Sequence, residues 1–170
     1  EALAIVSAGA LVGTTRGAQD LSRLLLSNSS LVDQDEGAQG VRATEIEIPL
    51  RGLRFPPKDL EETLPQQLAL LAAACEASEK CLTLPSERTG VFVGMEPDVE
   101  VCRYGLRWRQ AQRLRDEGFD PQDHSTWLEK CSDDIIPTLS SAGVVGTMPN
   151  IPANRLNSQF DLGGASYSIS

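Results

Sequence analysis

The chain has 170 residues, 41% of them hydrophobic and 23% charged, enough for one domain with a core of its own. Its 24 acidic and 15 basic side chains give a formal net charge of -9, which argues against general nucleic-acid or anionic-membrane binding, both driven by Lys and Arg against phosphate. No apolar run is long enough to span a bilayer, and the opening stretch EALAIVSAGALVG has neither an initiator Met nor a basic leader, so it reads as a piece of a longer polypeptide and not as a signal peptide.

Residues 3–9 (LAIVSAG) form an apolar, β-branched run ending at a glycine, which predicts a buried strand. Residues 18–28 predict a short helix with Leu21, Leu24 and Leu25 on one side. Residues 28–42 are polar and contain glycine, the composition of a loop. Residues 44–50 (TEIEIPL) alternate, predicting a strand with one wet face. The longest helical signal covers 55–81: Leu68, Leu71, Ala72 and Cys75 fall at i, i+3, i+4 and i+7, with Pro65 near the start. Residues 88–95 (RTGVFVGM) read as a continuous strand closed by Gly94. A helix over 98–118 follows, softened near Gly105, with Tyr104, Trp108, Ala111 and Leu114 facing inward. Another helix covers 124–139, capped by Ser125 or Thr126. A helix through IPANRLNSQF, a Gly-Gly turn and the alternating strand SYSIS complete the chain. Strands alternating with helices indicate an α/β domain with a largely buried sheet.

Few residue groups carry a chemical signal. Cys75, Cys81, Cys102 and Cys131 are irregularly spaced, with no C-x-x-C pair, and read as thiols of a reducing compartment. With one histidine beside them, they do not make a metal site. Gly9, Gly13 and Gly17 lack the spacing of a phosphate cradle. His124 is the sole histidine and sits in a turn entering a helix, with no nucleophile beside it. Asp133 and Asp134 are adjacent carboxylates without further ligands. Arg103, Arg107, Arg109, Arg113 and Arg115 crowd one helix of an otherwise acidic chain. They form either a solvated helix face or a landing strip for an acidic partner or a phosphate.

Several stretches together resemble one family. FPPKDLEETLPQQLALLAAACEA resembles the helix carrying D-P-Q-Q-R-L-L-L in the β-ketoacyl synthases of polyketide and fatty acid assembly, and RTGVFVGM resembles the strand after it. NIPANRLNSQFDLGGASYSIS is similar to the family's N-x-x-A-N-R-(L/I)-S-x-x-F-D-L-x-G-P-S-x-x-V-D, which leads to the nucleophile elbow T-A-C. GMEPDVEVCRYGLRWR looks most like the condensing domains of polyunsaturated fatty acid synthases. The resemblance covers nearly all of the chain.

It implies a thiolase-like α/β fold, layered α/β/α/β/α and built from two similar halves, of which residues 1–170 are the N-terminal half. It places the catalytic Cys a few residues beyond Ser170 and the two family histidines further on, so no catalytic residue falls in this chain, and His124 matches neither histidine. The chain departs from the motifs. Leu64 replaces an acidic residue, Leu68 an Arg, Ala165 a Pro, and Ser170 the Asp before T-A-C; Leu11, Val12 and Gly13 stand where the family has F-P-G.

The departures fit a chain-length factor, a ketosynthase-like domain that keeps the fold, lacks the nucleophile and shapes the acyl pocket of a partner. An active β-ketoacyl synthase half and a carrier-protein docking module are the other readings. By resemblance, Met95, Val99 and Tyr104, with Ser166, Tyr167 and Ser168, line the acyl pocket or dimer interface. Arg103, Arg107, Arg109 and Arg113 are the candidates for carrier-protein contact, beside their reading as a solvated helix face. The implied partners are a ketosynthase domain in a hetero- or pseudo-dimer, an acyl carrier protein, and malonyl and acyl thioesters. No cofactor binds directly; the carrier's phosphopantetheine arm bears the substrate. The expected compartment is the cytoplasm.

Overall fold

Leu71 has no exposed surface, and the fold is arranged around the helix that carries it. The computed structural model describes residues 3–27, 41, 43, 45–81 and 84–169. Within them, β1 (Leu11–Val12) pairs antiparallel with β2 (Thr15–Arg16), and α1 (Ala18–Leu26) follows. Then come α2 (Pro57–Glu61), α3 (Pro65–Glu79), a 3-10 turn at Ser86–Arg88 and β3 (Val91–Gly94). Next are α4 (Val101–Asp116), α5 (Ser125–Ile135), α6 (Ser141–Thr147) and α7 (Ile151–Phe160), and finally β4 (Ser166–Ile169).

The single predicted helix over 55–81 is two helices. Pro65 disfavours helical geometry at the residue before it, so Leu64 is extended (ψ 137) and α3 starts afresh with the proline in its first turn. Pro137 acts likewise on Ile136 (φ -163, ψ 140), which ends α5 at Ile135, earlier than the predicted 139. From α3, Leu71 meets Leu60 of α2, Val91 and Val93 of β3, and Ala153 and Leu156 of α7 to form the core. α3 is at least half-buried along nearly its whole length, as expected for a helix that is apolar on most sides.

β3 and β4 run parallel, with Val91 opposite Ser166 and Gly94 opposite Ile169. Gly164 donates its N–H to Thr89 O (3.1 Å), and a Cβ there would lie 2.2 Å from that same oxygen. The Gly-Gly turn therefore delivers β4 to β3 at a closeness only glycine allows. The expected largely buried sheet is covered on one face alone. Val91 and Val93 face the core, whereas Phe92 (69% exposed), Tyr167 and Ile169 face outward, with Phe92 and Tyr167 stacked at 5.8 Å between ring centroids.

The predicted strand over 3–9 is not a strand. Leu3 and Ile5 are almost fully exposed, and no neighbouring strand offers them a ladder among the described residues. The segment is instead pinned to α3. A Cβ on Gly9 would lie 1.9 Å from Ala73 O, and the Glu76 carboxylate accepts the N–H groups of Ala10 (2.9 Å) and Ala18 (3.0 Å). Ala18 is the first residue of α1, whose own N-cap, Gly17, has no side chain to give, so Glu76 caps α1 from a neighbouring helix. Over 45–48 the alternation survives without a ladder: Ile46 and Ile48 are half-buried and Glu45 and Glu47 exposed, whereas Leu50, the next inward position, is exposed. Thr44, and all of the predicted loop over 28–42 except Val41, lie outside the described residues.

Other expectations are corrected locally. Leu25 is exposed, leaving Leu21 and Leu24 as the inner side of α1. α4 runs unbroken through Gly105. Trp108 is 71% exposed, and Arg107 takes the inner position expected of it, donating to Asp133, Ile136 O (2.8 Å) and Thr138 (2.7 Å) and fastening α4 to the end of α5. The guanidinium finds three acceptors there, and a Trp ring would leave them unmet. Ser125 and Thr126 lie inside α5; His124 is its N-cap and makes no side-chain capping bond. α6, unforeseen in the sequence, is capped by Ser140, whose Oγ accepts from Gly143 N (3.1 Å). Its buried residues are Gly143 and Gly146, and a Cβ on Gly146 would lie 2.5 Å from Glu62 O, so α6 packs backbone to backbone on the end of α2.

Leu71→Ala should destabilise the fold by about 2–5 kcal/mol, read from urea unfolding. The Lys80 ammonium and the N–H groups of Ala10 and Ala18 hold the Glu76 carboxyl below its ordinary pKa of 4.5. Its folded pKa thus lies below its unfolded one. The stabilisation is complete above the ordinary value and is lost as pH falls through the folded value. Between about pH 5 and pH 3 the melting temperature should fall more steeply in the wild type than in Glu76→Gln. Parallel curves would remove Glu76 from that role.

Candidate functional site

Because β3 and β4 are parallel, their C-terminal ends emerge at the same edge, where open α/β sheets place their ligands. Met95 extends the ladder by donating its N–H to Ile169 O (3.0 Å). The chain then passes over the start of α3 before entering α4. A cavity of about 110 Å³ lies beneath this passage, lined by Met95, Pro97, Val101, Leu64, Gln67 and Thr147 among others. Leu64 and Thr147 also border a wider, more open cleft of about 490 Å³, with Glu62, Glu100, Tyr104 and Ser140 on its walls. The Ser140 hydroxyl donates to the Glu62 carboxylate inside that cleft.

The six expected pocket residues are distributed among different surroundings. Met95 lines the small cavity and Tyr104 the cleft. Val99 is 77% exposed and borders neither. Ser168 Oγ accepts from Ala153 N (3.4 Å), and the Ser166 hydroxyl donates to the Asn154 side-chain oxygen (3.2 Å), so both serines bind β4 to α7. Tyr167 stands on the opposite, open face of the sheet.

The four expected carrier contacts separate in the same way. Arg103 is paired with Glu100 (2.9 Å), and Arg107 is bonded inside the fold as described. Arg109 and Arg113 have no ion-pair partner among the described residues. His124 packs edge-on against Phe119, 5.8 Å between ring centroids. Among the described residues no group of three or more His, Cys, Asp or Glu side chains could hold a metal ion. Burial, reinforced by the Glu79 charge, raises the Cys75 pKa, which keeps that side chain a thiol and a poor nucleophile.

Two polar side chains at the site escaped the sequence reading. Gln67 is buried in its place on the inner side of α3; its amide donates to Gly146 O (2.8 Å) and Met148 O (3.3 Å), while Oε1 has no partner among the described residues. Arg155 is likewise buried, in α7. It donates to Thr63 Oγ1 (3.2 Å) and lies over the Phe55 ring at 4.9 Å, leaving Nε and Nη1 without acceptors among the described residues. Burial lowers its pKa, against the pull of Asp59, and the guanidinium stays charged. A polar residue four positions before Leu71 on the buried stripe was the available signal for Gln67. The motif position of Arg155 was the signal for the other.

The geometry is that of a strand pair whose shared edge opens beside two recesses, assembled from the motifs that drew attention in the sequence. Among described residues, no helix is long and apolar enough to cross a membrane. Similarity to known proteins agrees with the motifs. A component of the polyunsaturated fatty acid synthase of Thraustochytrium sp. is 26% identical over 133 residues, 76% of this chain but 6% of that protein, so the chain spans a small fraction of that relative's length. The family model described as "Beta-ketoacyl synthase, N-terminal domain" matches residues 1–170, and the chain belongs to the β-ketoacyl synthase family.

Proposed function

We propose that this chain is part of a chain-length factor, a noncatalytic ketosynthase-like domain that shapes the acyl pocket of a partner condensing domain in a polyunsaturated fatty acid or polyketide synthase. Family membership implies a thiolase-like fold and a transferase system. The complete domain would be layered α/β/α/β/α and paired with an active ketosynthase as a dimer. Its substrates would be malonyl and acyl thioesters on the phosphopantetheine arm of an acyl carrier protein.

One observation carries the noncatalytic assignment. Leu64 stands in the place of the family's acidic residue and is buried, beside a Thr63 that bonds Arg155. Arg155 is left buried with no carboxylate at ion-pair distance among the described residues. By the resemblance an acidic residue stands at that position in the family, and its exchange for a leucine is a change that a domain without its own chemistry would tolerate. The condensation would belong to the partner. There a Cys thiolate carries the acyl chain, the malonyl thioester loses CO2, and the resulting carbanion attacks the acyl carbonyl and expels the thiolate. The contribution of this chain would be steric, with Met95 and Val101 closing the small cavity beside the strand edge.

The test uses the complete synthase. After incubation with an acyl thioester, mass spectrometry should find acyl groups on the partner condensing domain and none on the domain containing this chain. Met95→Trp should fill the cavity and shift products toward shorter chains without abolishing condensation. An acyl adduct on this domain would identify it as the N-terminal part of an active β-ketoacyl synthase. An unchanged product distribution in Met95→Trp would remove the cavity from chain-length control.

A further inference from the structure

α4 and α5 pack chiefly on each other and stand apart from the core built on α3. No residue of α4 is buried, and of α5 only Ser132 is. The pair is an arm that adds little to the core, yet the turn at its end is firmly set. Gly118, in the left-handed region (φ 87), closes α4. Its N–H donates to Arg115 O (2.9 Å) and that of Phe119 to Leu114 O (2.9 Å), the paired bonds of a Schellman ending. The Asp120 carboxylate then turns the chain by accepting from Gln122 N (2.9 Å). Phe119 and Trp127 stay 53% and 57% exposed. His124 joins them into one row: it meets the Phe119 ring edge-on and stands three residues before Trp127, at the start of α5. Aromatic rings held in place yet left in water are the pattern of an interface anchor.

The surrounding charge selects the partner. Between Arg115 and Lys130 there is no Lys or Arg, whereas Asp116, Glu117, Asp120, Asp123 and Glu129 are all carboxylates. None of the five is in an ion pair among the described residues. Asp116 accepts from the Gln112 amide (2.8 Å), and Asp120 serves its own turn. A second copy of this tip would set carboxylate against carboxylate, and a nucleic acid or an anionic membrane would meet like charge. A segment carrying arginines among apolar residues satisfies rings and carboxylates together, because a guanidinium both stacks on an indole face and pairs with a carboxylate.

We propose that the tip of the α4–α5 arm docks an arginine-rich segment of a partner protein. A guanidinium of that segment stacks on Trp127, others pair with Glu117 and Asp123, and its apolar side chains cover Phe119. The inference rests on the arm alone and holds whether or not the domain is catalytic.

The probe is a fluorescein-labelled synthetic peptide in which Arg alternates with Leu, titrated into the full-length polypeptide and followed by anisotropy. Saturable binding that weakens with added salt is expected, and the same peptide with Glu in place of Arg should not bind. Trp127→Ala should weaken binding about threefold, the scale of one exposed cation–π contact. Glu117→Lys with Asp123→Lys should weaken it about tenfold, the scale for two exposed charge pairs turned repulsive. Should that reversal disturb the turn, Glu117→Gln with Asp123→Asn removes the charge alone and should weaken binding less. Glu45→Lys with Glu87→Lys changes two exposed carboxylates outside the arm and should matter far less than the reversal at the tip. An equal loss from that remote pair would mean attraction to the acidic chain as a whole and overturns the proposal. So does the absence of saturable binding, comparable binding of the Glu peptide, or one affinity shared by the wild type, Trp127→Ala and the charge variants at the tip.

Discussion

A helix apolar on most sides cannot face water, and α3 imposes that constraint on the rest of the chain. The N-terminal segment lies against its backbone at Ala73, the 45–53 region supplies Ile48 and Leu53, and β3 and α7 close over Leu71. The polar contacts respect the same arrangement. Glu76 points from α3 to cap α1, and Gln67 points from its other end to hold two carbonyls at the end of α6, those of Gly146 and Met148. One helix thus positions both the N-terminal segment and one wall of the small cavity. The candidate site is set by packing around α3 as much as by the strands that open onto it.

The strands at 91–94 and 166–169 were legible because alternation and flanking glycines are local signals. The segment at 3–9 carries equally strong strand composition, yet a strand exists only where a neighbour completes its hydrogen bonds, and that neighbour is not a local property. α6 escaped because two glycines lower helix propensity; at Gly146 the backbone of Glu62 and Thr63, just after α2, approaches too closely for any side chain. In α4, counting apolar residues turned Trp108 inward, whereas three acceptors at the end of α5 drew Arg107 in and left the indole outside. Of the site, the resemblance pointed to the segment after Gly94 and to β4. It did not foresee that Met95 and Tyr104 would border separate recesses or that the β4 serines would be engaged by α7.

Arg155 is held by packing as much as by charge. Its aliphatic stem and its stacking on Phe55 make it a packing element, while its unpaired nitrogens keep a cost that a carboxylate would offset.

The parallel pairing of β3 with β4 also has a kinetic side. Val91 and Ser166 are direct partners, yet α4, α5, α6 and α7 lie between them in the chain. Closing a loop of that size costs on the order of 4 kcal/mol in chain entropy before the ladder contributes anything. During synthesis the ribosome releases β3 and α3 well before β4 exists. Val91, Val93 and Leu71 must then wait, partly uncovered, for α7 and β4 to arrive. The fold therefore has a late-closing side, and the interval before closure is when this chain is most open to misassociation and most in need of a chaperone's cover.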